Sequence, residues 1–200
     1  VKTQAGNQLV AISYDSRINS DVFAKTAACV LAANGIKVRI YDALMPVPAL
    51  SFATRYYEAN AGIMITASHN PAKYNGYKVY GEDGCQITTE AANSILAEIN
   101  KLDIFKDVKK ADFQTALASK QISYIDDAVY NAFLKEVKQQ SVLFGEEVQK
   151  DAAIVYTPLN GTGLRPVTQI LAEAGYTNIK IVPEQKLPDG NFPTCPYPNP

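Results

Sequence analysis

Tryptophan is absent from the 200 residues, histidine occurs once and cysteine three times. Cys29, Cys85 and Cys195 form an odd, widely spaced set with no Cys-x-x-Cys pair, which excludes a zinc or dithiol motif and predicts ordinary reduced thiols. No apolar run approaches the roughly 18 residues of a membrane span, and the amino-terminal stretch lacks the apolar segment of a signal peptide. The chain therefore reads as cytoplasmic, with no membrane partner. An excess of one charge is lacking as well: 19 Lys and Arg stand against 20 Asp and Glu, a formal net charge of −1. The lysines are scattered and make no basic face of the kind that phosphate-backbone binding needs, so nucleic acid is excluded as a partner.

What is present suits one or two globular domains, with 47% hydrophobic and 20% charged residues. "QLVAISYDSR" is a short β-rich apolar run ending in a polar turn, which predicts a strand over about 9–14 with Arg17 just past its carboxyl end. Helical spacing follows over 20–34, with Ser20 or Asp21 as cap and Gly35 as stop. "IKVRIYD" reads as a strand, 49–60 as a helix and "AGIMITA" as a third strand. This alternation predicts parallel strands joined by right-handed helical crossovers, with functional loops at the carboxyl ends of the strands. "YKVYG" returns too soon for a helical crossover and is expected antiparallel at an edge. The fold class is thus α/β, a mixed and mostly parallel sheet sandwiched by helices.

A helix over about 89–102, capped by Thr88 or Thr89, precedes a charged stretch, 103–121, that reads as a connector. A helix over 125–141 opens a second unit, followed by a strand, the loop "NGTG", a helix over 164–174 and the strand "NIKIV". The proline-rich tail cannot close a domain, so the second unit is expected to belong to a longer chain or to lean on a partner.

The single histidine sits in "GIMITASHNPAKYNGYKVYGEDG", where an apolar strand opens into Ser68, His69 and Asn70. A polar turn is the bland alternative, since such side chains commonly satisfy loop backbone groups. A serine hydrolase fails on spacing: His69 is the immediate neighbour of Ser68, no second histidine exists and no G-x-S-x-G elbow occurs. A phosphoryl-carrying serine instead needs nearby donors, positive charge and a metal ion, and Arg17, His69, Asn70 and Lys78 are candidates to supply the first two.

The run T-A-S-H-N-P followed by N-G-Y-K resembles the phosphoserine loop of the α-D-phosphohexomutases, the phosphoglucomutase and phosphomannomutase family. "ISYDSR", "YTPLNGTG" and "FPTCPYPNP" resemble further segments of that family, and "GYKVYGEDGCQI" is most similar to its bacterial phosphoglucomutase and phosphopentomutase branch. The resemblance implies domain I over residues 1–122, with the phosphoserine loop, and part of a second similar α/β domain over 123–200, ending before the metal-binding loop. It implies Ser68 as the phosphoserine, whose phosphate is one ligand of Mg²⁺. It also implies Lys78 as the assistant in proton transfer, with Arg17, His69 and Asn70 shaping the phosphate loop. The implied activity moves a phosphoryl group between C1 and C6 of a hexose phosphate through a bisphosphorylated sugar, with glucose 1,6-bisphosphate as activator and intermediate.

The family's D-G-D-x-D-R metal loop has no counterpart here, since no D-x-D-x-D run occurs in the sequence, and three alternate carboxylates are what a hard cation requires. The expectation is a fragment, inactive alone, whose partners are the remaining domains of the parent chain and a hexose phosphate substrate. Two alternatives remain: another mutase of the same family, such as a phosphopentomutase, or a non-catalytic module that binds a sugar phosphate or a protein partner.

Overall fold

The computed structural model describes residues 8–142, 145 and 147–196; the end of "FPTCPYPNP", residues 197–200, lies outside them. In chain order the elements are β1 (Leu9–Tyr14), α1 (Ser20–Ala33), β2 (Lys37–Ile40), α2 (Val47–Tyr56), β3 (Ala61–Ile65), β4 (Tyr77–Tyr80) and α3 (Thr89–Ile99). There follow α4 (Phe113–Ala118), β5 (Ile122–Tyr124), α5 (Asp127–Gln139), β6 (Ile154–Tyr156), α6 (Leu164–Glu173), β7 (Ile179–Ile181) and α7 (Pro183–Lys186).

Strand β1 is apolar except for Ser13, and residues 10–14 are buried on both faces, as parallel strands under two helical layers require. Val10, Ile12 and Tyr14 join Ala24, Ala28 and Cys29 of α1 in one core layer. Ala11 joins Leu50 of α2 and Met64 of β3 on the opposite face. The sheet order is β4-β3-β1-β2-β5, parallel throughout except for β4, which runs antiparallel to β3 at the edge. This is the mixed, mostly parallel sheet expected from the sequence, and it gathers the loops after β1, β2 and β3 along one rim.

Two local readings are corrected. The stretch 103–121 is more than a connector: it contains α4, whose Ala116 is buried against the α1 layer, and it leads into β5, which pairs parallel to β2. A six-residue helix has too little periodicity to read, and tertiary packing rather than propensity sustains it. The α1 cap is neither Ser20 nor Asp21. Asn19 occupies that position in the left-handed region (φ 64°), and the Ser20 hydroxyl donates instead to Asp15 Oδ1 at 2.8 Å.

The second unit leans on the first. Val129, Tyr130 and Leu134 of α5 pack with Met45 and with Ala49 and Ala53 of α2, and Ile170 of α6 adds to the same cluster. Strands β6 and β7 form a separate parallel pair.

Candidate functional site

Strand β3 ends at Ile65, the chain stays buried through Ala67, and it then makes a loop that returns to β4. The loop is closed at its base by Thr66 N, which donates to Gly76 O at 3.0 Å. A Cβ on Gly76 would lie 2.7 Å from that Thr66 carbonyl oxygen, which explains the glycine in the N-G-Y-K motif. Asn75 holds the same corner, donating to Ser20 Oγ at 2.9 Å and accepting from Gly76 N at 2.8 Å. Within the loop, Ser68 adopts a left-handed backbone (φ 57°), a conformation that costs a non-glycine residue roughly 1 kcal/mol or more and persists only when its surroundings impose it. Thr66 Oγ1 accepts from Ser68 N at 2.9 Å, and Asn70 N donates to Ala67 O at 3.0 Å. The hydroxyl of Ser68 is thereby turned outward, and Ser68, His69 and Asn70 are all exposed.

Arg17 imposes the rest of that geometry from beneath. Its side chain is buried, and the guanidinium spends its donors on loop carbonyls: Pro71 O at 3.0 Å, Tyr74 O at 2.8 Å, Ser68 O at 2.9 Å, and Asn70 O. Nε stands 3.4 Å from Asp15 Oδ2, close enough for an ion pair although outside hydrogen-bond geometry. Burial lowers the Arg17 pKa, and the Asp15 carboxylate opposes that shift. A planar fork of donors suits this caging of several carbonyls, which a lysine could not reproduce. Arg17 thus shapes the loop backbone, and its terminal Nη1 and Nη2 donors are already committed there.

A cavity of about 330 Å³ opens beside the loop. Ser68 and His69 line it together with Asp15, Thr66, Met64 and, from the second unit, Gly161, Thr162, Gly163 and Phe192. Lys78 does not line this cavity. It lies on β4 opposite Met64 and borders a groove between the edge strand and α3. His69 Nδ1 sits 3.3 Å from Ser68 Oγ, so sequence adjacency does not keep the two apart as the spacing argument assumed. That distance is long for a hydroxyl hydrogen bond, and among the described residues no carboxylate orients the imidazole as a hydrolase triad requires.

The family model for the phosphoglucomutase/phosphomannomutase α/β/α domain I matches residues 1–105, and that for α/β/α domain II matches residues 131–200. The chain belongs to the phosphoglucomutase/phosphomannomutase family. It is 42% identical over 191 residues to a phosphoglucomutase of Staphylococcus saprophyticus, covering 96% of this chain and 34% of the relative. It is 36% identical over 194 residues to a Haemophilus influenzae protein named "Probable phosphomannomutase", covering 96% of this chain and 38% of the relative. A solved phosphoglucomutase/phosphomannomutase family protein from Burkholderia thailandensis shares the fold with a TM-score of 0.66 at 21% identity, over 94% of this chain and 38% of that one. The chain spans little more than a third of the length of these relatives.

A family metal centre is not built from the described residues alone. No group of three His, Cys, Asp or Glu side chains among them is arranged to hold an ion, and one serine phosphate cannot satisfy the six or more oxygens of a hard divalent cation. Asn75 and Phe192 lie in the N-G-Y-K and "FPTCPYPNP" segments that carry the resemblance, but the sequence assigns neither a role, and only their contacts reveal their part in the site. The "NGTG" loop reads locally as a turn before a helix, and the fold brings Gly161, Thr162 and Gly163 to the rim of the Ser68 cavity.

Proposed function

We propose that the parent protein is a phosphoglucomutase/phosphomannomutase-type enzyme of the cytoplasm and that this chain, reading as domain I over 1–122 with part of domain II over 123–200, carries its phosphoryl-bearing serine. The observation that carries this reading is the outward presentation of Ser68 on a left-handed turn caged by Arg17, at the rim of a cavity shared by both units. A carrier serine must be reachable by a bulky sugar phosphate and held still while the substrate reorients, which an exposed hydroxyl on a rigid loop provides.

In the forward step the sugar hydroxyl oxygen bonds to the phosphorus, the Ser68 Oγ–P bond breaks, the hydroxyl proton passes to a base, and the released Ser68 Oγ takes up a proton. Lys78 is the candidate to move that proton, a role worth roughly 10² to 10⁴ in rate. His69 and Asn70 flank the phosphate, and Arg17 keeps their backbone in place. The reverse step returns a phosphoryl group from the other carbon of the hexose bisphosphate to Ser68. Mg²⁺ bound to the serine phosphate would offset its charge, with the remaining ligands supplied by another part of the parent chain.

The test is an intact mass and a peptide map over 61–78 of the parent protein, before and after incubation with glucose 1,6-bisphosphate and Mg²⁺. One phosphoryl group on Ser68, absent from Ser68→Ala, is expected. A group that maps to another residue, or none in an active enzyme, would overturn the assignment. The 200 residues alone are expected to show no mutase turnover.

A further inference from the structure

The guanidinium plane of Arg17 is spent on the Ser68 loop, yet its face is also occupied. The ring of Phe192 lies over it, 5.3 Å from Cζ to the ring centroid, inside the roughly 6 Å reach of a cation–π contact. We propose that Phe192 is a positioning residue for Ser68, acting through Arg17, so that the second unit controls the backbone conformation of the phosphoryl-carrying loop. This rests on the reading of Ser68 given above.

Three features converge on it. First, Phe192 is buried although it belongs to a segment without regular structure, and its backbone is left-handed (φ 48°), unusual for a bulky residue. The turn that sets this geometry is made by Asp189, whose carbonyl accepts from Phe192 N at 3.1 Å. Second, the segment is pressed onto the backbone of Arg17's own loop. A Cβ on Gly190 would lie 2.6 Å from Ile18 N and 2.8 Å from Ser16 O, so only glycine allows that approach. Third, the segment is tied to the "NGTG" loop by buried Asn160. Its side-chain Nδ2 donates to Leu187 O at 2.9 Å, and its main-chain carbonyl oxygen accepts from Asp189 N at 3.1 Å.

Gly161, Thr162 and Gly163, which follow Asn160, face Ser68 across the cavity. One connected set of contacts therefore runs from the second unit's cavity loop through Asn160, the 189–192 turn and the Phe192 ring to Arg17, and from there to the carbonyls of Ser68, Asn70, Pro71 and Tyr74. Without the ring, water reaches the guanidinium face and competes for its donors, and the strained Ser68 backbone loses part of what imposes it.

The experiment compares Phe192→Leu, Phe192→Tyr and a control, Ile170→Ala, in the full-length parent protein. Ile170 packs beside α2 and α5, away from Arg17. Two quantities are read: amide hydrogen exchange over residues 66–76, and the rate at which Ser68 gains a phosphoryl group from glucose 1,6-bisphosphate. Phe192→Leu should accelerate exchange in the loop roughly fivefold and slow phosphorylation by a similar factor, the scale of a lost cation–π contact. Phe192→Tyr, which keeps the ring face, should restore both, and Ile170→Ala should alter neither at a matched loss of Tm. Wild-type exchange in Phe192→Leu would overturn the proposal, as would an equal effect from Ile170→Ala. If wild-type Ser68 takes up no phosphoryl group, the functional reading fails, and the exchange data alone decide the coupling.

Discussion

Arg17 is where the residue scale is most informative. Its partners are backbone carbonyls, which leave no side-chain signature, so the sequence marks the arginine and hides its use. Arg17→Lys is expected to lose most of the cage, four part-buried hydrogen bonds to loop carbonyls, at a cost of about 2 kcal/mol in a urea unfolding experiment. The position of Lys78 predicts the opposite profile. It is half-buried on an edge strand, and its side chain makes no ion pair or hydrogen bond among the described residues. Lys78→Ala should leave Tm nearly unchanged, and under the proposed proton-transfer role kcat of the parent protein should fall by roughly 10² or more. The loop that bears Ser68 and His69 was legible as an exposed turn after β3, because a long contiguous motif spells it out. The ring of Phe192 over Arg17 was not, because nothing local connects positions so far apart in the chain.

Among the elements, α2 and α3 stand at opposite extremes of packing. Helix α2 approaches β3 so closely that a Cβ on Gly62 would lie 2.5 Å from Thr54 Oγ1 and 3.3 Å from Tyr80 Cβ. Gly62→Ala should push α2 outward and cost on the order of 1 to 3 kcal/mol, read as a lower urea midpoint. Helix α3 has no buried residue, and Ile95, Leu96 and Ile99 are all exposed. Leu96→Gln should accordingly shift stability by no more than about 0.5 kcal/mol. The same contrast explains what could be read in advance. The long alternating run from β1 to β3 follows clear periodicities, whereas α4 and β5 are short and owe their form to the sheet they join.

For the whole molecule, the burial of tyrosines sets an alkaline limit. Tyr14 is pushed up to about 12, chiefly by burial and then by Asp21 and Asp42, and burial raises Tyr41 further. A raised folded-state value means that the neutral form is the one the fold holds. The stability this confers is complete below the ordinary tyrosine range near pH 10 and is lost as the pH rises through the folded values. Denaturant midpoints should therefore fall from about pH 10 upward, and Tyr14→Phe should flatten part of that decline. The two units share one apolar cluster, in which α5 and α6 meet α2. They are accordingly expected to unfold in one transition.

By itself the sequence determined the alternation of strands and helices, the antiparallel edge strand and the exposed serine loop, because each depends on periodicity or on a contiguous motif. The fold alone decided that α4 and β5 complete the first sheet, that Arg17 serves the loop backbone, and that the "NGTG" loop and Phe192 meet Ser68 at one cavity. These are contacts between residues distant in the chain. They arise from the register of a parallel sheet, which brings its loops to a common rim, and from the second unit's apolar helices burying their faces against the first.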